Sequence, residues 1–149
     1  MPLTDDRDIA RILAATRTIA LVGASHKAER PSHRVMRFLL NEGYRVYPVN
    51  PGLAGQQLLG CPVYPDLGAV PVAIDMVDVF RQSRYLQGVV DAAIAVGAAT
   101  LWTQLDVIDL EAAACAERAG LEVVMDRCPA IELPRLQALG LLPPRRNVI

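Results

Sequence analysis

The sequence predicts a single α/β domain built on a doubly wound parallel sheet of about five strands. Three observations carry that expectation. Short apolar runs recur along the chain with helical patterns interspersed, which is the signature of strand–crossover–strand units. The first run, Ile19-Ala20-Leu21-Val22, is continuous rather than alternating, as a strand covered on both faces requires. No repeat, low-complexity stretch or linker divides the 149 residues, a length that suits one domain with a sizeable core.

The elements follow in order. Thr4 to Ala15 reads as a helix, with Thr4 as N-cap, Asp5 and Asp6 at the positive end, and Ile9, Ile12 and Leu13 on one face. Ile19 to Val22 is the first strand and ends at Gly23. Ser32 to Glu42 places Val35, Met36, Leu39 and Leu40 at helical spacing, with Gly43 as the stop. Arg45 to Val49 is the second strand, cut by the turn signal Asn50-Pro51-Gly52. The proline- and glycine-rich residues 51–73 read as a long loop with at most a short helix or an edge segment. Ile74 to Phe80 is the third strand, Ser83 to Val96 a helix, and Thr100 to Thr103 the fourth strand. Leu110 to Ala119 is an alanine-rich helix, and Leu121 to Met125 the fifth strand. After Cys128 the pattern predicts a helical turn near Leu133 and then a ragged terminus.

Composition narrows the function classes. Hydrophobic residues make up 52% and charged residues 21%, a globular rather than a disordered profile. The net charge of −1 lacks the basic excess of a broad nucleic-acid surface, although a local basic patch is still compatible with it. Cys61, Cys115 and Cys128 show no CxxC spacing, so neither a zinc site nor a thioredoxin-like motif is predicted. They read as reduced thiols of a cytoplasmic protein. The acidic N-terminus lacks the apolar core of a signal peptide, and no apolar run reaches membrane-spanning length.

In a doubly wound sheet, ligands sit outside the carboxyl ends of the strands, where strand order reverses. The candidate site therefore gathers Gly23-Ala24-Ser25, Asn50-Pro51, Val79-Phe80-Arg81, Gln104 and Cys128. In the first loop, Gly23 permits a turn and a close approach, Ser25 offers a hydroxyl, and Lys27 and Arg30 bring charge. Pro31 and Ser32 open the following helix, with Ser32 as its expected cap and the first-turn N–H groups free for an anion. Composition alone fits either this phosphate cradle or an ordinary connection with solvated basic residues. The length of the loop favours the cradle, since such connections usually run about 2–6 residues. Arg34, inside the helix, reads as a solvated or pairing residue.

Phe80 as an apolar shelf with Arg81 beyond it suits a purine near a phosphate. Core and solvent are the simpler assignments for that segment alone. Trp102 fits a core, while Gln104 just past its strand can hydrogen-bond. Cys128 fits either an inert buried thiol or a reactive one beside Arg127. Asp75, Asp78 and Asp106 read as strand-end and turn residues. The first loop lacks both GxGxxG and the P-loop order, and Asn50 stands where an NAD site would carry an acid.

Six segments, VGAS…ERPSHRV, GYRVYPVNP, GCPVYPDL, DMVDVFR, LWTQLDV and LEVVMDRCPAIE, follow one another in family order. From about Thr18 to Glu132 the chain resembles the stand-alone CoA-binding proteins. That family is similar to the N-terminal CoA-binding domain of the succinyl-CoA synthetase alpha subunit. The resemblance implies a Rossmann-like fold holding coenzyme A across the strand ends. By matched segment, Gly23, Ala24 and Ser25 would contact the diphosphate, with Lys27, Arg30, Pro31 and Ser32 completing that loop. Asn50 and Pro51 would flank the nucleotide, and Val79, Phe80 and Arg81 would hold adenine, ribose or 3′-phosphate. Gln104 and Cys128 would lie toward the pantetheine. Which basic residue meets which phosphate stays open.

The ligase also needs a phosphorylated histidine in a further domain, and neither His26 nor His33 matches it. With no triad, carboxylate pair or metal cluster apparent, the expected function is non-catalytic binding of CoA or an acyl-CoA, as a carrier or sensor. Two alternatives stand beside it: thiol exchange between Cys128 and CoA disulfide, and a Rossmann site for NADP or another nucleotide. No nucleic-acid or membrane partner is expected. The expected organisation is an N-terminal helix over residues 1–17, the CoA-binding domain over 18–132, and a tail over 133–149.

Overall fold

A computed structural model describes residues 1–145. In chain order the strands are β1 (Thr18–Val22), β2 (Arg45–Val49), β3 (Gln57–Leu58), β4 (Cys61–Pro62), β5 (Met76–Val79), β6 (Thr100–Thr103) and β7 (Glu122–Val124). The helices are α1 (Asp6–Ala15), α2 (Pro31–Asn41), α3 (Leu86–Ala95), α4 (Leu110–Arg118) and α5 (Pro129–Ala138). Five strands form one parallel sheet in the order β2-β1-β5-β6-β7. β3 and β4 form a small antiparallel hairpin inside the proline-rich segment.

Side chains alternate between the faces of a strand, and here both faces are apolar. Ile19, Leu21, Met76 and Trp102 face α1, α2 and α5, where Ile9, Leu13, Met36, Leu39, Leu133 and Leu136 complete one core. Ala20, Val22, Val77, Val79, Leu101 and Val123 face α3 and α4, where Leu86, Val90, Ala112 and Ala116 complete the other. The chain leaves β1 toward β2 and returns to the opposite side of β1 at β5, so strand order reverses between β1 and β5. The register keeps the carboxyl ends of β2, β1, β5 and β6 level: Val22 pairs with Val49 and Val79, and Val79 with Thr103. Their following loops therefore emerge along one edge.

Several local expectations are corrected. Asp5, not Thr4, caps α1, its Oδ1 accepting the Arg7 N–H at 2.8 Å. α2 starts one residue early because Pro31 occupies its first position, which suits a residue without an N–H. Arg30 stands at the cap, Ser32 sits inside the first turn, and no side chain caps this helix end. The expected helix from Ser83 begins as a single 3-10 turn over Ser83–Tyr85, and α3 proper follows. The predicted helical turn near Leu133 is a ten-residue helix. Leu133 and Leu136 are spaced to share one buried face, and Arg135 ties it to α1 through Asp6 at 2.7 Å. The chain beyond α5 packs too: Leu142 is buried, and the Arg145 guanidinium lies 3.8 Å over the Tyr44 ring. The rest of the ragged terminus, 146–149, lies outside the described residues.

Candidate ligand-binding site

Two adjoining clefts open at the carboxyl edge. The smaller, of about 300 Å³, is formed by the loop after β1 and the head of α2: Gly23, Ala24, Ser25, Lys27, Arg30, Pro31 and Ser32, with Asn50 and Phe80. The larger, of about 770 Å³, lies between the β2 end and α3, and is walled by Pro51, Pro65, Leu67, Arg81, Arg84, Tyr85 and Val89. Gly23 and Asn50 line both.

Gly23 sits at the point where strand order reverses, with φ of +91°. A Cβ there would come within 3.2 Å of the Phe80 carbonyl carbon and of Arg81 Cγ. The β1 and β5 ends thus approach as closely as they do because glycine stands between them. The Gly23 and Ala24 N–H groups donate to the Val49 carbonyl at 3.1 and 3.3 Å. Asn50 locks the same two loops from the other side. Its Nδ2 donates to the Ala24 carbonyl at 2.7 Å, and its Oδ1 accepts the Gly52 N–H at 2.8 Å. The neutral amide supplies both a donor and an acceptor, so an ionised acid here would lose the donor and face a carbonyl. Ser25 Oγ accepts the Lys27 N–H at 3.1 Å, which shapes the loop leading to α2.

The clefts are electropositive. Lys27 and Arg30 line the smaller, Arg81 and Arg84 the larger, and Asp66 is the one acid among the described residues that line them. The Asp66 carboxylate already accepts the Ala69 N–H at 2.9 Å. The uncapped head of α2 adds its own partial positive charge to the smaller cleft. In the larger, Arg81 and Arg84 both lie over the Tyr85 ring, at 4.0 and 4.8 Å from its centroid. Arg34 lies outside the lining of both clefts, and its Nη1 donates to the Glu29 carbonyl at 2.9 Å.

Most of the residues named from sequence meet here, and three do not. Val79 is fully buried in the core, so its side chain faces away from the clefts. Gln104 and Cys128 are 7% and 9% exposed and belong to the β6–β7 side of the edge, outside the lining of both clefts. Arg84 and Tyr85 were not anticipated. The signal was present in Arg81-Gln82-Ser83-Arg84-Tyr85, whose spacing brings three side chains together once that turn is helical. Asp78 was read as a strand-end residue and is something else. It lies inside β5 between Leu21 and Trp102, completely buried, and neither carboxylate oxygen has a hydrogen-bond partner among the described residues. Burial pushes its pKa up to about 8, outweighing the opposing pull of the Gln104 side chain. Asp75 and Asp106 are structural as expected: Asp75 accepts the Arg17 and Thr18 N–H groups, and Asp106 holds a turn at φ of +68°. His33 is buried on α2.

A parallel five-stranded sheet with an electropositive cleft at its reversal point defines a Rossmann-like ligand-binding domain. The chain belongs to the family described as the CoA binding domain, which it matches over residues 17–134. The Bacillus subtilis protein YneT is 34% identical over 121 residues, 81% of this chain and 88% of its own length. A solved structure of a hypothetical protein from Pyrococcus horikoshii is 40% identical, covering 92% of this chain and 96% of its own with a TM-score of 0.86. An acetyl-coenzyme A synthetase from Ca. Korarchaeum cryptofilum, solved with phosphate and ADP, is 26% identical with a TM-score of 0.65. The match covers 78% of this chain and 27% of that synthetase. No described helix is long and apolar enough to cross a membrane.

Proposed function

We propose that the protein binds coenzyme A or an acyl-CoA across the two clefts and serves as a carrier or sensor of that ligand. One observation carries the reading: the cations divide into two sets, Lys27 and Arg30 in one cleft and Arg81 and Arg84 in the adjoining one. Coenzyme A carries its charge the same way, with a diphosphate at one point and a 3′-phosphate on the ribose at another. The diphosphate takes the smaller cleft, against the head of α2, Ser25, Ser32, Lys27 and Arg30. Adenine and ribose take the larger cleft, with Pro51 and Phe80 at its border, Tyr85 as a flat wall, and Arg81 and Arg84 for the 3′-phosphate. Gly23, Ala24 and Asn50 hold the two halves in register. The pantetheine runs along the edge toward Gln104 and Cys128, and Val79 contributes only by packing the strand that carries Phe80 and Arg81.

Thermal protection by CoA, dephospho-CoA and NADP, measured in parallel, tests this. A ligand at a hundred times its dissociation constant adds about 2.7 kcal/mol. CoA is expected to protect strongly, dephospho-CoA less, and NADP least. Protection by NADP equal to that by CoA would replace the reading with a general dinucleotide site.

A further inference from the structure

The carboxyl edge carries polar groups that neither cleft uses. Asp78, Gln104 and Cys128 converge on the α5 side of the sheet, beneath the head of that helix. Asp78 is fully buried with both oxygens unpartnered, and Gln104, 7% exposed, has an unpartnered Nε2. Cys128, at the cap position of α5, lies within electrostatic reach of Asp78 and near the Gln104 amide. The Ala130 and Ile131 N–H groups of the first helical turn stand near its Sγ as well. Buried polar groups are almost always paired, so orphaned atoms beside a thiol need an explanation. A core position filled for stability alone would have carried an apolar residue.

We propose that Cys128 accepts the acyl group of a bound acyl-CoA, with Asp78 as its proton acceptor and Gln104 and the α5 head as donors to the developing oxyanion. The inference rests on the CoA reading and makes the carrier role specific. The strands lie about 4.8 Å apart, so the end of β7 is about 14 Å from the end of β1. An extended pantetheine arm spans that distance.

The step balances without any oxidant. Asp78 takes the thiol proton as Sγ attacks the thioester carbonyl. The tetrahedral oxyanion collapses, the bond from the acyl carbon to the CoA sulfur breaks, and Asp78 returns the proton to that sulfur. The products are S-acyl-Cys128 and CoA thiol. A carboxyl titrating near neutrality suits this proton transfer better than an ordinary aspartate does. Burial and the Asp78 charge push the Cys128 thiol up, while the Ala130 and Ile131 N–H groups and Gln104 pull it down. The thiol therefore depends on a base. The other titratable and charged groups on this face include His33 on α2, Tyr44 and Cys61 in the same core, and Arg127, Glu132 and Arg135 of the α5 segment, with Glu132 2.7 Å from Arg127 and 2.9 Å from Arg135. β1 and β6 place Leu21 and Trp102 beside Asp78 in register, and Gln104 follows β6.

The test uses the full chain with acetyl-CoA, followed by intact mass and peptide mapping. One acetyl group is expected on Cys128 and none in Cys128→Ser, with the more exposed Cys61 and Cys115 as internal controls. Asp78→Asn keeps the side-chain shape and is expected to bind acetyl-CoA as the wild type does. Its acylation should be roughly a hundredfold slower, and its rate should no longer rise with pH through the neutral range. Calorimetric binding of acetyl-CoA without an adduct overturns this inference and leaves the CoA reading standing. Absence of binding removes both. An adduct formed from CoA disulfide but not from acetyl-CoA, or an Asp78→Asn protein with the wild-type rate and pH profile, also overturns it.

Discussion

Replacing Asp78 with asparagine should stabilise the protein, and the gain should depend on pH in a defined way. Asp78 is raised from 3.8 to about 8 by complete burial, which outweighs the opposing pull of the Gln104 side chain. The folded state therefore holds a proton that the unfolded state releases above about pH 4. Between those two values the unfolded state binds fewer protons, so stability falls as pH rises, by about 1.4 kcal/mol per unit. From pH 4 to pH 7 the accumulated loss is about 4 kcal/mol, a ceiling because local relaxation and water entry soften burial penalties. Asparagine has no such proton to hold. The variant should match the wild type near pH 4 and exceed it increasingly toward pH 8, where the difference levels off. For a chain of this size a gain of about 4 kcal/mol raises Tm by roughly 10 °C. Urea unfolding of both proteins at intervals from pH 4 to pH 9 gives the difference directly, and effects of other groups cancel in it. A difference that stays constant between pH 5 and pH 8 would refute the reasoning, because it would mean that Asp78 ionises normally in the folded protein.

Three further outcomes follow from the geometry. Gly23→Ala forces a side chain into the left-handed region and against Phe80, which should cost about 1–2 kcal/mol and also weaken CoA binding. A thermal melt and a titration check the two effects separately. Arg84→Ala should reduce the preference for CoA over dephospho-CoA while leaving affinity for dephospho-CoA nearly intact, measured by parallel titrations. Arg135→Met removes the partner of Asp6 and Glu132. Burial pushes Glu132 up, but Arg135 and Arg127 outweigh it and hold its carboxyl below the usual range; Arg135 does the same for Asp6. Their stabilisation is present above about pH 4.5 and lost as pH falls, so the wild-type advantage over Arg135→Met should shrink on acidification in an acid-unfolding series.

The sheet was legible because its strands are buried on both faces, and continuous runs such as Ile19 to Val22 leave little alternative. The clefts were legible from strand-end composition, since parallel topology brings every strand end to one edge. Other features were hidden for physical reasons. Asn50 reads as a turn residue, yet its amide clamps two loops, a role that only the fold reveals. Tyr85 and Arg84 face the site because a 3-10 turn rotates them there. Asp78 is a lone acid in the apolar run Met76 to Phe80, and its residue type alone reads as a strand-end residue. Its burial follows from α5, a helix that the short, proline-interrupted sequence Pro129 to Ala138 does not announce.

The account rests on coenzyme A binding with its diphosphate at the head of α2. Calorimetric titration of the wild type and Arg30→Ala with CoA tests that claim most directly. One saturable site is expected for the wild type, and a loss of about 1.5–3 kcal/mol, tenfold or more in affinity, for the variant. No heat of binding to the wild type, or identical isotherms for the two proteins, would contradict it.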